Sequence, residues 1–210
     1  MKSLRPIPLA VAAVCLALAG CVNLLPKVDP VALYRFGNSP TASAAKEPPG
    51  AAFGVFKTST VFTRAAAGDG MLTFTNGEAA YIAGARWVSP ASVLFDEAVA
   101  RAFEAGAGRA RLIGRGEMAK ADLVLRLEVR AFEVDYVNGP KAAPEVLVQV
   151  RAALNSNQDR ALVGDRLFEA RVKASSNRVG PIVDAYDAAT NQALGELNAW
   201  VSETGQGAAK

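Results

Sequence analysis

Asp122-Leu-Val-Leu-Arg-Leu-Glu-Val-Arg-Ala-Phe-Glu-Val-Asp135 carries the clearest pattern in this 210-residue chain. Leu123, Leu125, Leu127, Val129 and Ala131 point one way, while Arg126, Glu128 and Arg130 point the other. Strict alternation of this kind makes a β-strand with one buried and one wet face. Downstream, Asn138-Gly139-Pro140 turns the chain, and Val146, Val148, Val150, Ala152 and Leu154 repeat the pattern opposite Gln149 and Arg151. A polar turn over 155–160 leads to Phe168, Ala170 and Val172, which alternate with Glu169 and Arg171. Three amphipathic strands joined by short turns predict an antiparallel meander.

Working outward, a helix is expected on each side of the meander. Ser89-Pro90 is a good helix start, because a serine oxygen can accept a free backbone N–H and proline at the first position sacrifices nothing. Leu94, Ala98, Ala102 and Phe95, Val99, Phe103 then recur at helical spacing until Gly106 and Gly108. Gly180-Pro181 opens a second helix, with Ile182, Tyr186, Ala189, Ala193, Leu197 and Val201 on one stripe. Earlier in the chain, 31–36 and the aromatic, β-branched run 52–64 read as strands, and 71–82 as a hairpin broken at Asn76-Gly77. The order predicts an α+β domain: a mostly antiparallel sheet with two amphipathic helices packed on one face. The expected boundaries are a single domain over 31–202 and a disordered tail over 203–210.

The N-terminus is of another kind. Lys2 and Arg5 precede an uncharged run from Pro6 to Gly20, too short for the roughly 20 apolar residues that span a bilayer, as in a secretory signal. It ends in Leu18-Ala19-Gly20-Cys21, which resembles the lipobox of bacterial lipoproteins. Small residues at 19 and 20 suit a narrow signal-peptidase site, and the Cys21 thiolate is the expected acceptor of a diacylglyceryl group, with palmitate among the acyl chains. Residues 1–20 are thus expected to be removed and 21–30 to form the acylated N-terminus and a flexible tether. Several acyl chains make anchoring stable. Val22 and Asn23 stand where an aspartate would favour inner-membrane retention, so the expected site is the inner leaflet of the outer membrane, with the domain in the periplasm.

Processing also changes the charge. Loss of Lys2 and Arg5 from the 23 basic residues leaves 21 against 20 acidic ones, so no basic face for nucleic acid is expected. Cys15 leaves with the signal and Cys21 is acylated, which removes any intramolecular disulfide. The chain has no histidine, which excludes Ser-His-Asp and Cys-His catalysis and the usual zinc sites. Gly114-Arg-Gly116-Glu-Met-Ala119 matches a dinucleotide fingerprint in letters, but a strand follows where the fingerprint requires a helix, so no cofactor is expected. Asp184 with Asp187, and Asp165 with Glu169, read as solvated surface, leaving no catalytic residue and no metal site. Tyr34, Tyr81, Trp87 and Trp200 are the candidates for a partner or lipid surface, although large aromatics more commonly serve the core.

Several features in order resemble the ABC-type transport auxiliary lipoproteins, the family that includes the paraquat-inducible protein C type. These are Cys21 in its lipobox, Tyr34-Arg-Phe36, Tyr81 leading into Trp87-Val-Ser-Pro90, and the long strand 122–135. Val148-Gln-Val-Arg-Ala-Ala-Leu154, Arg166-Leu-Phe168 and a closing helix with Ala188, Leu194, Leu197 and Trp200-Val201 complete it. The glycine-containing insert at 65–70 departs from the pattern and reads as a loop. The resemblance implies a non-enzymatic component of an Mce-type lipid transport system, docking the complex at the outer membrane. Its implied partners are an MCE-domain protein and, in the wider complex, an ABC permease and an ATPase. Homo-oligomer formation and direct lipid binding stay open. The alternative is a structural adaptor of another envelope assembly, such as a secretion or efflux complex.

Overall fold

The computed structural model describes residues 30–37, 53–105, 108–114 and 116–208. Residues 31–210 make one unit. Among the described residues, nine strands run in chain order with two helices. They are β1 (Ala32–Tyr34), β2 (Phe53–Lys57), β3 (Val61–Phe62), β4 (Gly70–Thr75), β5 (Glu78–Trp87), β6 (Ala110–Ile113), β7 (Leu123–Asp135), β8 (Glu145–Ser156) and β9 (Leu162–Lys173). Helix α1 (Ala91–Ala105) lies between β5 and β6, and α2 (Val179–Gln206) closes the chain.

The long ladders are antiparallel, as alternation and short turns require: β7 pairs with β8 and β8 with β9 along nearly their whole lengths. The other edge of β7 is shared by three short strands in parallel. Val55 pairs with Leu123, Val61 with Glu128 and Thr73 with Val134. Beyond them, β2 pairs in parallel with β6, β4 antiparallel with β5, and β5 in parallel with β1. The expected α+β sheet is therefore mostly antiparallel, with parallel pairings that the short strands add. The run 52–64, expected as one strand, is two, because it pairs with β7 at two separate places.

Strand β7 holds a bulge. Its register shifts between Val129 and Ala131, so Phe132 and Val134 join Leu123, Leu125, Leu127 and Val129 in the core. Phe132 thereby reaches the ring cluster of Phe36, Phe62, Trp87, Phe95 and Tyr186, with centroids 4.9, 5.6, 6.3, 6.3 and 4.8 Å away. The turn at Asn76 and Gly77 has φ of 50° and 84°, the left-handed pair that a two-residue hairpin needs.

Every residue of the expected α2 stripe (Ile182, Tyr186, Ala189, Ala193, Leu197, Val201) is buried. The expected tail at 203–210 is corrected in part: α2 continues to Gln206, because Ser202 and Gly205 are buried and Gly205 packs onto Phe53 and Leu123. At α1, the free N–H groups of Ala91 and Ser92 donate to the carbonyls of Gly68 and Ala67, so the 65–70 segment caps the helix. The helices meet where Asn198 Nδ2 donates to the Ala102 carbonyl at 2.9 Å. At the far edge, Val88 N–H donates to the Tyr34 carbonyl.

Candidate functional site

The residues singled out by sequence do not form one site. Trp87 is buried, 5.0 Å from the Phe36 ring and 5.1 Å from Tyr186, and lines no surface. Tyr34 is partly buried against the core at β1, and its carbonyl binds Val88. Trp200 lies elsewhere, half-buried on Phe168 with centroids 5.7 Å apart. Tyr81 alone of the four is largely exposed, its hydroxyl donating to the Ala65 carbonyl at 2.8 Å. Leu18, Ala19, Gly20 and Cys21 lie outside the described residues.

The wet face of β7–β9 is a lattice of ion pairs. Arg151 grips Asp165 with two bonds, Nε to Oδ1 at 2.9 Å and Nη2 to Oδ2 at 2.6 Å, the fork geometry in which arginine is strongest. Arg171 bonds Glu169 at 2.8 Å and approaches Glu145 at 3.6 Å, while Gln149 donates to Glu169 at 2.8 Å. The hydrogen bond from Arg151 holds the Asp165 carboxyl below its ordinary pKa, and those from Arg171 and Gln149 do the same for Glu169. Glu133 goes the other way: burial first, then the charge of Asp135, raises its pKa against the opposing pull of Arg171. Tyr186, fully buried, has its phenol pushed well above the ordinary range by desolvation. The expectation that Asp165 and Glu169 are solvated surface holds, with their charges already matched.

A second feature was not evident from sequence. A cleft of about 410 Å³ opens where α1 passes β2 and β6, between Lys57, Asp96, Phe103, Glu104, Arg111 and Leu112. Lys57 Nζ gives all three of its donors to structure: Asp96 Oδ1 at 2.8 Å, Thr60 Oγ1 at 3.1 Å and the Thr58 carbonyl at 3.1 Å. Thr60 also donates to Asp96 at 2.6 Å. At the cleft's rim Arg111 meets Glu117 at 2.6 Å, which lowers the Glu117 pKa. The cleft therefore holds an amine fixed in place by three partners. No group of three metal-ligating side chains occurs among the described residues.

An α+β module with helices on one face of the sheet and ion pairs across the open face of β7–β9 is the class that fold and surface define. The chain belongs to the family of ABC-type transport auxiliary lipoprotein components, whose model matches residues 39–198. Among solved structures, protein XCC0632 from Xanthomonas campestris, of the DUF330 family, is similar at 25% identity and a TM-score of 0.71. That match covers 84% of this chain and 98% of that one. A second, uncharacterized protein shares the fold at 13% identity and a TM-score of 0.63, over 82% of this chain and 99% of its own. No curated protein matches the sequence.

Proposed function

We propose that this protein is a non-enzymatic lipoprotein of an Mce-type intermembrane lipid transport system, held at the outer membrane by acylated Cys21 and docking the transport complex from the periplasmic side. The family match over 39–198 carries the reading, and Leu18-Ala19-Gly20-Cys21 upstream of it supplies the anchor. The ABC permease and ATPase of the wider complex supply the energy, and an MCE-domain protein is the direct partner. The matched ion pairs and the locked Lys57 support a role in positioning over one in chemistry.

Intact mass of the mature protein, combined with density fractionation of the membranes, tests the anchor and its place. The reading expects a chain beginning at Cys21 with added diacylglyceryl and acyl mass, in the outer-membrane fraction, and release of Cys21→Ser from membranes. An unmodified N-terminus, or acylated protein confined to the inner membrane, contradicts it.

A further inference from the structure

Among the described residues, several large apolar side chains left exposed lie together at the β1–β5 edge. Along β1, Ala32 and Tyr34 sit beside buried Ala85 and Trp87, so Val31 and Leu33 occupy the outer face, Leu33 at 63% exposure. Register sets Leu33 beside Arg86, and Val88, about half-exposed, follows on the same side. Tyr81 belongs to this surface as well. A Cβ built on Gly70 would lie 2.7 Å from the Tyr81 ring and 3.2 Å from Arg86 Nη1, so ring and guanidinium lie side by side. This surface sets four large apolar side chains around Arg86, whose Nη1 also lies 3.7 Å from Asp69 Oδ1.

We propose that this surface rests on the phospholipid bilayer that carries the Cys21 acyl chains; the inference depends on the reading of Cys21 as lipidated. The patch begins at Val31, where the leader ends. The ten steps from Cys21 to Val31 span at most about 35 Å fully extended, so the domain is tethered close to lipid by this edge. The chemistry suits an interface: aliphatic side chains enter the headgroup–acyl boundary, a tyrosine ring sits across it, and a guanidinium binds phosphate. Four side chains add little affinity beside the acyl chains, so their effect is orientation. With β1 against the membrane, β9 at the opposite edge of the sheet points into the periplasm, where a partner approaches.

Cys15 is removed with the signal and Cys21 is acylated, so an introduced cysteine is the one free thiol of the mature protein. Spin labels at Leu33→Cys, Val88→Cys and, as the distant control, Leu162→Cys on β9 are placed in full-length acylated protein. The protein is reconstituted into phosphatidylethanolamine–phosphatidylglycerol vesicles. Power saturation then compares collisions with oxygen, which concentrates in lipid, and with a water-soluble nickel chelate. The expected result is a several-fold higher oxygen-to-nickel ratio at 33 and 88 than at 162. Equal ratios at all three sites overturn the proposal. So does shielding of 33 and 88 from both reagents with spin–spin broadening that grows with protein density, which would mean a second copy covers the surface. Intact mass of the same sample separates the two readings: acylated Cys21 with aqueous labels removes this inference alone, and unacylated Cys21 removes both.

Discussion

Replacing Phe132 by alanine tests whether the bulge in β7 organises the core. Phe132 is buried beneath five other rings, the nearest being Tyr186 at 4.8 Å and Phe36 at 4.9 Å. Losing the ring forfeits about 2–3 kcal/mol of apolar transfer free energy. A cavity of roughly 80 Å³, at about 24 cal/mol per Å³, adds about 2 kcal/mol if its walls do not collapse. The expected loss is therefore about 3–5 kcal/mol, within the range for buried phenylalanines. At roughly 2–4 °C per kcal/mol for a domain of this size, Tm falls by about 6–20 °C. Urea unfolding followed by far-UV circular dichroism measures it, with Leu167→Ala on the exposed face of β9 as a control expected to stay within about 0.5 kcal/mol. A loss below about 1 kcal/mol at unchanged cooperativity would refute the reasoning, because a side chain at the centre of the cluster cannot be that cheap to remove.

Three further outcomes follow from named contacts. Gly205→Ala would place a methyl 2.6 Å from the Phe53 ring and 2.9 Å from Leu123 Cδ1; overpacking of about 1–3 kcal/mol outweighs the better helix propensity, and the urea midpoint drops. Gly195→Ala, on the same helix with open space around it, gains about 0.5–1 kcal/mol in the same assay. Glu133→Gln is more stable than the parent at pH 7. The folded pKa of Glu133 is raised, so its charge disfavours folding above that pKa, and the penalty disappears as pH falls below about 4.3, its unfolded value. The two melting curves should thus converge toward pH 4, and a constant gap between them would contradict the assignment.

The meander was legible because β7, β8 and β9 each bury one face only, and one-sided burial writes itself as alternation. The α2 stripe was legible for the same reason at the helical period. Strands β2, β3 and β6 were harder, since each is short and its parallel pairing is fixed by β7 and by its neighbours in space rather than by a turn in the sequence. Phe132 lies out of phase with Leu123–Val129, and only the bulge explains how both reach the core. The helical end of α2 was missed because Glu203-Thr-Gly205-Gln206 reads as polar, whereas Gly205 is chosen for its lack of a side chain against Phe53. Of the four aromatics, sequence could not separate Trp87 in the core from Tyr81 on the surface, both being on one strand. The phase of Val31 and Leu33 against Tyr34 and Phe36 was the available signal for the outer edge.

The transport reading stands or falls on what the protein holds in its own membrane. Gentle affinity capture of the full-length acylated protein from crosslinked native membranes, with mass spectrometry of what accompanies it, asks this directly. The account predicts an MCE-domain protein, with or without its permease and ATPase. Recovery of a secretion or efflux assembly with no MCE-domain protein would contradict it.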